Sequence, residues 1–123
     1  MRILGIDPGT AIIGYSIIDF KKGKYEIVDY GCIYTSKDQD MPHRLEKIYN
    51  ELETLIRLWK PDDMAIEELF FFKNQKTIIK VGQARGVIMV CGQKNNLDIY
   101  SYTPLQVKKG VAGYGRATKE QIQ

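Results

Sequence analysis

The sequence predicts an α/β domain built on a mixed sheet. Three strand-like segments joined by short turns open the chain, an apolar period of three and four follows, and strands and helices then alternate. Short turns between strands favour antiparallel pairing, whereas a strand reached through a helix returns parallel to its neighbour.

The first strand runs from Arg2 to Asp7, and Pro8-Gly9-Thr10 closes it with turn chemistry that no extended ladder tolerates. A second apolar stretch spans Ile12 to Phe20, and Lys21-Lys22-Gly23-Lys24 suits a hairpin turn before a third from Tyr25 to Tyr34. These three form an antiparallel meander. Leu45, Ile48, Leu52, Leu55, Ile56 and Trp59 then fall on one helical face, with Pro42 near the start and Pro61 just past the end. Met64-Ala65-Ile66-Glu67 is a short strand, and Gln75 to Lys94 a helix carrying Ile78, Val81, Ile88 and Met89. Gly82 and Gly86 cost that helix about 1 kcal/mol each relative to Ala, so they predict close approach of another element, either the sheet or a second copy. Leu97 to Tyr102 is strand-like, and Thr103-Pro104 has the chemistry to start a short helix ending at Gly110.

The 123 residues suffice for one domain with a proper core. With 44% hydrophobic and 27% charged residues, disordered, collagen-like and disulfide-scaffold classes are excluded. No apolar run is long enough to span a membrane, and Asp7 interrupts the N-terminus too early for a signal peptide, so a cytoplasmic location is expected. Cys32 and Cys91 stand far apart with a single histidine in the chain; a zinc site cannot be assembled from them, and both are expected as reduced, buried thiols. Charge is divided unevenly. Residues 1–72 hold nine Lys/Arg against thirteen Asp/Glu, and residues 73–123 hold nine against two. A basic second half suits a polyanionic partner such as nucleic acid.

Asp7 is the most pointed residue, a carboxylate ending an apolar strand before a sharp turn. Functional groups collect at the carboxyl ends of parallel strands, and Glu67 with Glu68 occupies the corresponding place on its strand. Alternation puts Glu67 and Glu68 on opposite sides, so at most one of them shares a face with Asp7, and the strand alone does not decide which. Paired acids without His or Cys amount to oxygen ligation, which suits Mg²⁺ or Mn²⁺. Phe70-Phe71-Phe72 cannot all face one core, so at least one ring is expected at the surface, where it could stack on a base.

Four stretches, Gly5-Ile6-Asp7-Pro8-Gly9-Thr10, Ala65-Ile66-Glu67-Glu68-Leu69-Phe70, Gly82-Gln83-Ala84-Arg85-Gly86 and Gln106-Val107-Lys108, resemble in order and spacing the signatures of the RuvC family of bacterial Holliday-junction resolvases. The resemblance covers the whole chain. It implies an RNase H-like fold, with a mixed five-stranded sheet flanked by helices and residues 1–123 forming a single nuclease domain. It implies a homodimer that binds four-way junction DNA and cuts two strands of like polarity symmetrically, in recombination and repair. Mg²⁺ is the implied cofactor, with Mn²⁺ able to replace it and two ions per site, and the RuvA-RuvB branch-migration complex is the implied partner. Residue by residue, Asp7 and Glu67 match the first two catalytic acids, Phe70 the aromatic beside the cleft, and Lys108 and Lys119 the basic residues at the cut phosphate. Lys73, Lys76, Lys80 and Arg85 are further candidates for backbone contacts.

The pattern departs from the family at one place. Thr118-Lys119-Glu120-Gln121 has the form of a capping box announcing a helix, and the second pair of acids belongs on that helix, beyond Gln123. The expectation is a chain that continues further, with the C-terminal helix truncated here and cleavage impaired in the 123-residue form. Two other families share features. The opening motif is similar to the phosphate hairpin of actin, hexokinase and Hsp70 ATPases, which need two large domains, and YqgF-type nucleases place carboxylates similarly but fit the later motifs less well. A non-catalytic junction-binding module is the remaining alternative.

Overall fold

A computed structural model of the protein describes residues 1–68 and 74–102. The order of elements is β1 (Arg2–Asp7), β2 (Ile12–Lys21), β3 (Lys24–Tyr34), α1 (Met41–Trp59), β4 (Asp63–Glu67), α2 (Gln75–Lys94) and β5 (Asp98–Tyr102). They build one five-stranded sheet in the order β3-β2-β1-β4-β5. The predicted meander is present, with β1, β2 and β3 pairing antiparallel, while β4 adds parallel to β1 and β5 parallel to β4. The expected helix from Thr103 and the capping box at Thr118 lie outside the described residues.

The turns follow from local chemistry. Lys22 and Gly23 both adopt positive φ, 53° and 74°, which gives the two-residue hairpin between β2 and β3 a twist matching its strands. Asp40 caps α1 by accepting from the His43 backbone N–H, and Pro42 fits the first turn because its missing N–H would have no helical partner there. Asn74 caps α2 in the same way through the Lys76 N–H. α1 ends on Lys60 in the left-handed region, its N–H returning to the Ile56 carbonyl, just ahead of Pro61.

Both helices cover the same sheet face. Leu4, Ile6, Ile13, Ile17, Met64 and Ile66 meet Ile48, Leu52 and Ile56 from α1 and Ala84, Ile88 and Cys91 from α2 in one buried cluster. At the amino end of β1, the Arg2 guanidinium grips both carboxylate oxygens of Asp19 at 2.7 and 2.9 Å and donates to the Trp59 carbonyl at 2.8 Å. These bonds tie β1 to β2 and to the end of α1. Alternation sends Gly5, Asp7, Ala65 and Glu67 to the other face, which also carries the exposed side chains of Ile12, Tyr30, Tyr34 and Tyr100.

Two expectations are corrected. Gly82 and Gly86 do not pack against the sheet: a Cβ at either would meet nothing within 4 Å, because both lie along a groove between the two helices beside Leu45, Tyr49, Val87 and Val90. On α2 the close neighbour is instead at Gly92, where a Cβ would stand 2.9 Å from the Met64 methyl. The cysteines also differ from one another. Cys91 is buried against the sheet, but Cys32 is exposed, because its place on β3 opposite Gly14 puts it on the face that α1 and α2 leave uncovered.

Candidate active site

The parallel pairing of β1 with β4 decides which acid accompanies Asp7. The register runs Ile3 to Asp63, Leu4 to Met64, Gly5 to Ala65 and Ile6 to Ile66, so the next residues on each strand are Asp7 and Glu67, side by side on one face. Parallel strands lie about 4.8 Å apart, so these two side chains meet directly. Glu68 points the other way, and its backbone N–H donates to the Tyr102 carbonyl at 2.7 Å, prolonging the β4–β5 ladder.

The turn after Asp7 is held from several sides. Any side chain at Gly9 would run into the Ile12 carbonyl, with a Cβ only 2.2 Å from that oxygen. The Thr35 N–H donates to the Ala11 carbonyl at 2.9 Å, the Thr35 hydroxyl donates to the Thr10 carbonyl, and buried Arg44 donates through Nε to the Thr35 hydroxyl oxygen at 3.0 Å. A residue from α1 thus fixes the loop that aims Asp7. Sequence reasoning passed over Arg44, although a charged residue on the apolar stripe just before Leu45 is a signal of such a bond.

The electrostatics of the pair are strained. Burial pushes the Glu67 carboxyl up from its ordinary 4.5 to about 7, helped by a hydrogen bond to Asp7 and by the charge on Asp7. Tyr102, the register partner of Glu67 on β5, is pushed up to about 12 by burial and then by the charges of Glu67 and Asp7. A protonated Glu67 donating to Asp7 is the metal-free solution to placing two carboxylates together, and a divalent cation is the other. The donor set fits a hard cation, because both groups offer oxygen and neither His nor thiolate stands with them. Among the described residues no cluster of three or more His, Cys, Asp or Glu forms, so the pair supplies two ligands of such a site.

This pair has a consequence for stability. A group whose folded pKa lies above its unfolded one favours folding fully below the unfolded value, and that contribution is lost as pH rises through the folded value. For Glu67 the loss runs from about 4.5 to about 7. Asp19, held low by the Arg2 hydrogen bond, and Asp40, held low by its bonds to His43, work in the opposite sense and lose their contribution on acidification. Thermal unfolding without divalent cations is therefore expected to show a maximum in the mildly acidic range and a decline toward pH 8. Mg²⁺ should raise the melting temperature more at pH 8 than at pH 5; equal increments at both would contradict a metal site at Glu67.

Of the other residues singled out in the sequence, Lys76 and Lys80 are exposed near the start of α2. Arg85 is half-buried and donates to the Ser101 hydroxyl at 2.5 Å. Phe70, Phe71, Phe72, Lys73, Lys108 and Lys119 lie outside the described residues.

A family model described as crossover junction endodeoxyribonuclease RuvC matches residues 3–123. The chain belongs to the RuvC family. A RuvC from Fusobacterium nucleatum is 59% identical over 123 residues, which cover 100% of this chain and 65% of that protein. One from Petrotoga mobilis is 54% identical, covering 100% of this chain and 76% of the relative. The chain thus spans slightly under two thirds of the first of these relatives and about three quarters of the second. Thermus thermophilus RuvC, solved in complex with a Holliday junction substrate, superposes with a TM-score of 0.81 at 27% identity, over 89% of this chain and 68% of that one. The mixed sheet with its helices is therefore the RNase H-like fold that the motifs implied.

Proposed function

We propose that this chain provides the Asp7–Glu67 site of a metal-dependent endonuclease that resolves four-way DNA junctions by hydrolysing phosphodiester bonds symmetrically in two strands of like polarity. The observation that carries the proposal is the Asp7–Glu67 pair at the carboxyl edge of two parallel strands, in a chain of the RuvC family. Its relatives bear the name crossover junction endodeoxyribonuclease, and the Thermus protein was solved with a junction.

In this proposal Asp7 and Glu67 hold Mg²⁺, or Mn²⁺ in its place, in a site for two ions. The bound cation supplies a Lewis acid for the scissile phosphate and lowers the pKa of its water. Asp7, exposed and followed by the Gly9 turn, would be the ligand more open to solvent and substrate. Glu67, half-buried and hydrogen-bonded to Asp7, would be the second ligand and would bind the cation as its carboxylate. Lys76 and Lys80, with Lys73 and Arg85, supply sequence-independent phosphate contacts that weaken as salt rises. Lys108 and Lys119 are assigned to the phosphate at the cut, and Phe70 to stacking on a junction base. The homodimer expected of the family would bring two such sites to one junction, and the open helix face at Gly82 and Gly86 is available to a second copy. Activity in the cytoplasm alongside a RuvA-RuvB complex completes the proposal. Among the described residues no helix is long and apolar enough to cross a membrane.

The test is cleavage of a synthetic four-way junction by the full-length protein, with a linear duplex of the same sequence as control. Symmetric nicks in the junction alone, abolished by chelator, are expected. Equal cutting of the duplex, or cutting that survives removal of divalent cations, would contradict the proposal.

A further inference from the structure

Tyr102 is drawn into the carboxylate site by three features of β5. It is the register partner of Glu67, so both side chains rise from adjoining parallel strands on the same sheet face. Its carbonyl accepts from the Glu68 N–H at 2.7 Å, which locks the two strand ends together at this level and leaves little freedom for the Tyr102 backbone to slide. Its side chain is half-buried, in contrast to Tyr100 two residues earlier on the same face, which is 57% exposed.

The strand order gives the ring its place. β1 flanks β4 on one side and β5 on the other, so Glu67 has Asp7 as one lateral neighbour and Tyr102 as the other. A glutamate has three side-chain torsions and swings freely unless its neighbours restrict it. Asp7 repels it when both are ionised, and repulsion alone would turn the Glu67 carboxylate away toward β5. Tyr102 carries its large side chain on that side of Glu67 and on the same sheet face.

We infer that Tyr102 is a positioning residue of this site, whose ring closes the β5 side of Glu67 and holds its carboxylate toward Asp7, so that the two acids present one ligand set to a divalent cation. This rests on the assignment of Asp7 and Glu67 as metal ligands. The ring body performs the task, and its hydroxyl is dispensable, since the position lost on truncation is steric.

The experiment compares Tyr102→Ala with Tyr102→Phe in the full-length protein. Mn²⁺ binding is followed calorimetrically and by the spin resonance of the free ion, and junction cleavage is resolved into kcat and KM. Tyr102→Ala is expected to weaken Mn²⁺ binding about 10-fold or more and to lower kcat with KM for the junction little changed, the range found when residues that orient metal ligands are removed. Tyr102→Phe should restore both to within about twofold of wild type, a rescue that distinguishes positioning by the ring from chemistry of the hydroxyl. Mn²⁺ affinity unchanged in Tyr102→Ala, or lost equally in both variants, would overturn the inference while leaving the metal site intact. Wild-type protein that binds no Mn²⁺, or binds it unchanged after Asp7→Asn, would overturn the metal assignment and this inference with it.

Discussion

Replacing Asp7 by Asn is expected to lower junction cleavage by about 10³-fold or more while leaving junction binding equal or tighter. Effects of that size follow the loss of a group that acts only in the transition state, and a ligand that assembles the metal site is such a group. Binding should be spared because the proposal assigns the DNA contacts to lysines and not to Asp7, and removing a negative charge beside the scissile phosphate would reduce repulsion. The same substitution should stabilise the metal-free protein at pH 8, since Glu67 would no longer face a carboxylate in its half-buried position. Loss of cleavage with a gain in stability distinguishes a functional carboxylate from a structural one, whose loss would lower both. Gel-based cleavage, junction binding in EDTA and a thermal melt measure the three quantities. Unchanged cleavage would favour a module that binds junctions without cutting them.

The second large effect is on the core beneath the site. Ile66 is fully buried between the sheet and its helices, pairs with Ile6 on β1, and immediately precedes Glu67. Ile66→Ala removes three heavy atoms from a packed interior and should cost about 2–5 kcal/mol, the range for large-to-small changes that leave a cavity. Against a total stability of about 5–15 kcal/mol this is a severe loss. The urea midpoint should fall with the slope unchanged, because the surface exposed on unfolding is nearly the same. A cost below about 1 kcal/mol would mean that α1 and α2 do not close over Ile66 as described.

Much of this arrangement was legible in the sequence where a local constraint was strong. Pro8-Gly9-Thr10 ended β1 at Asp7, and the run from Leu45 to Trp59 declared the buried face of α1, because a turn or a period is written in neighbouring residues. What escaped was whatever depended on a partner distant in the chain. Strand alternation left Glu67 and Glu68 equivalent, the family resemblance chose Glu67, and the parallel register with β1 gives the physical reason by putting Glu67 beside Asp7. Tyr102 drew no attention in a strand of mixed character, and it gains a role only from facing Glu67 across β4 and β5. Gly82 and Gly86 were expected to admit either the sheet or a second copy, and the sheet does not approach them, because a glycine in a helix shows only that space is available and not what fills it. Cys32 was expected to be buried from the habits of cysteine in general, and its exposure follows from the face it occupies. The family signatures, by contrast, survived because they join residues of β1, β4 and α2 into one pattern, a long-range statement that no single element makes.

The central claim is that Asp7 and Glu67 form one cation-binding pair. The most direct measurement is the titration of the Glu67 side-chain carboxyl by carbon-detected magnetic resonance, with and without saturating Mg²⁺. Without the ion Glu67 should titrate near 7, far above an ordinary glutamate, and with Mg²⁺ bound its midpoint should drop well below 4.5, because the cation competes with the proton for the same oxygens. A midpoint that Mg²⁺ leaves unmoved would show that the two carboxylates, however close, do not hold the metal.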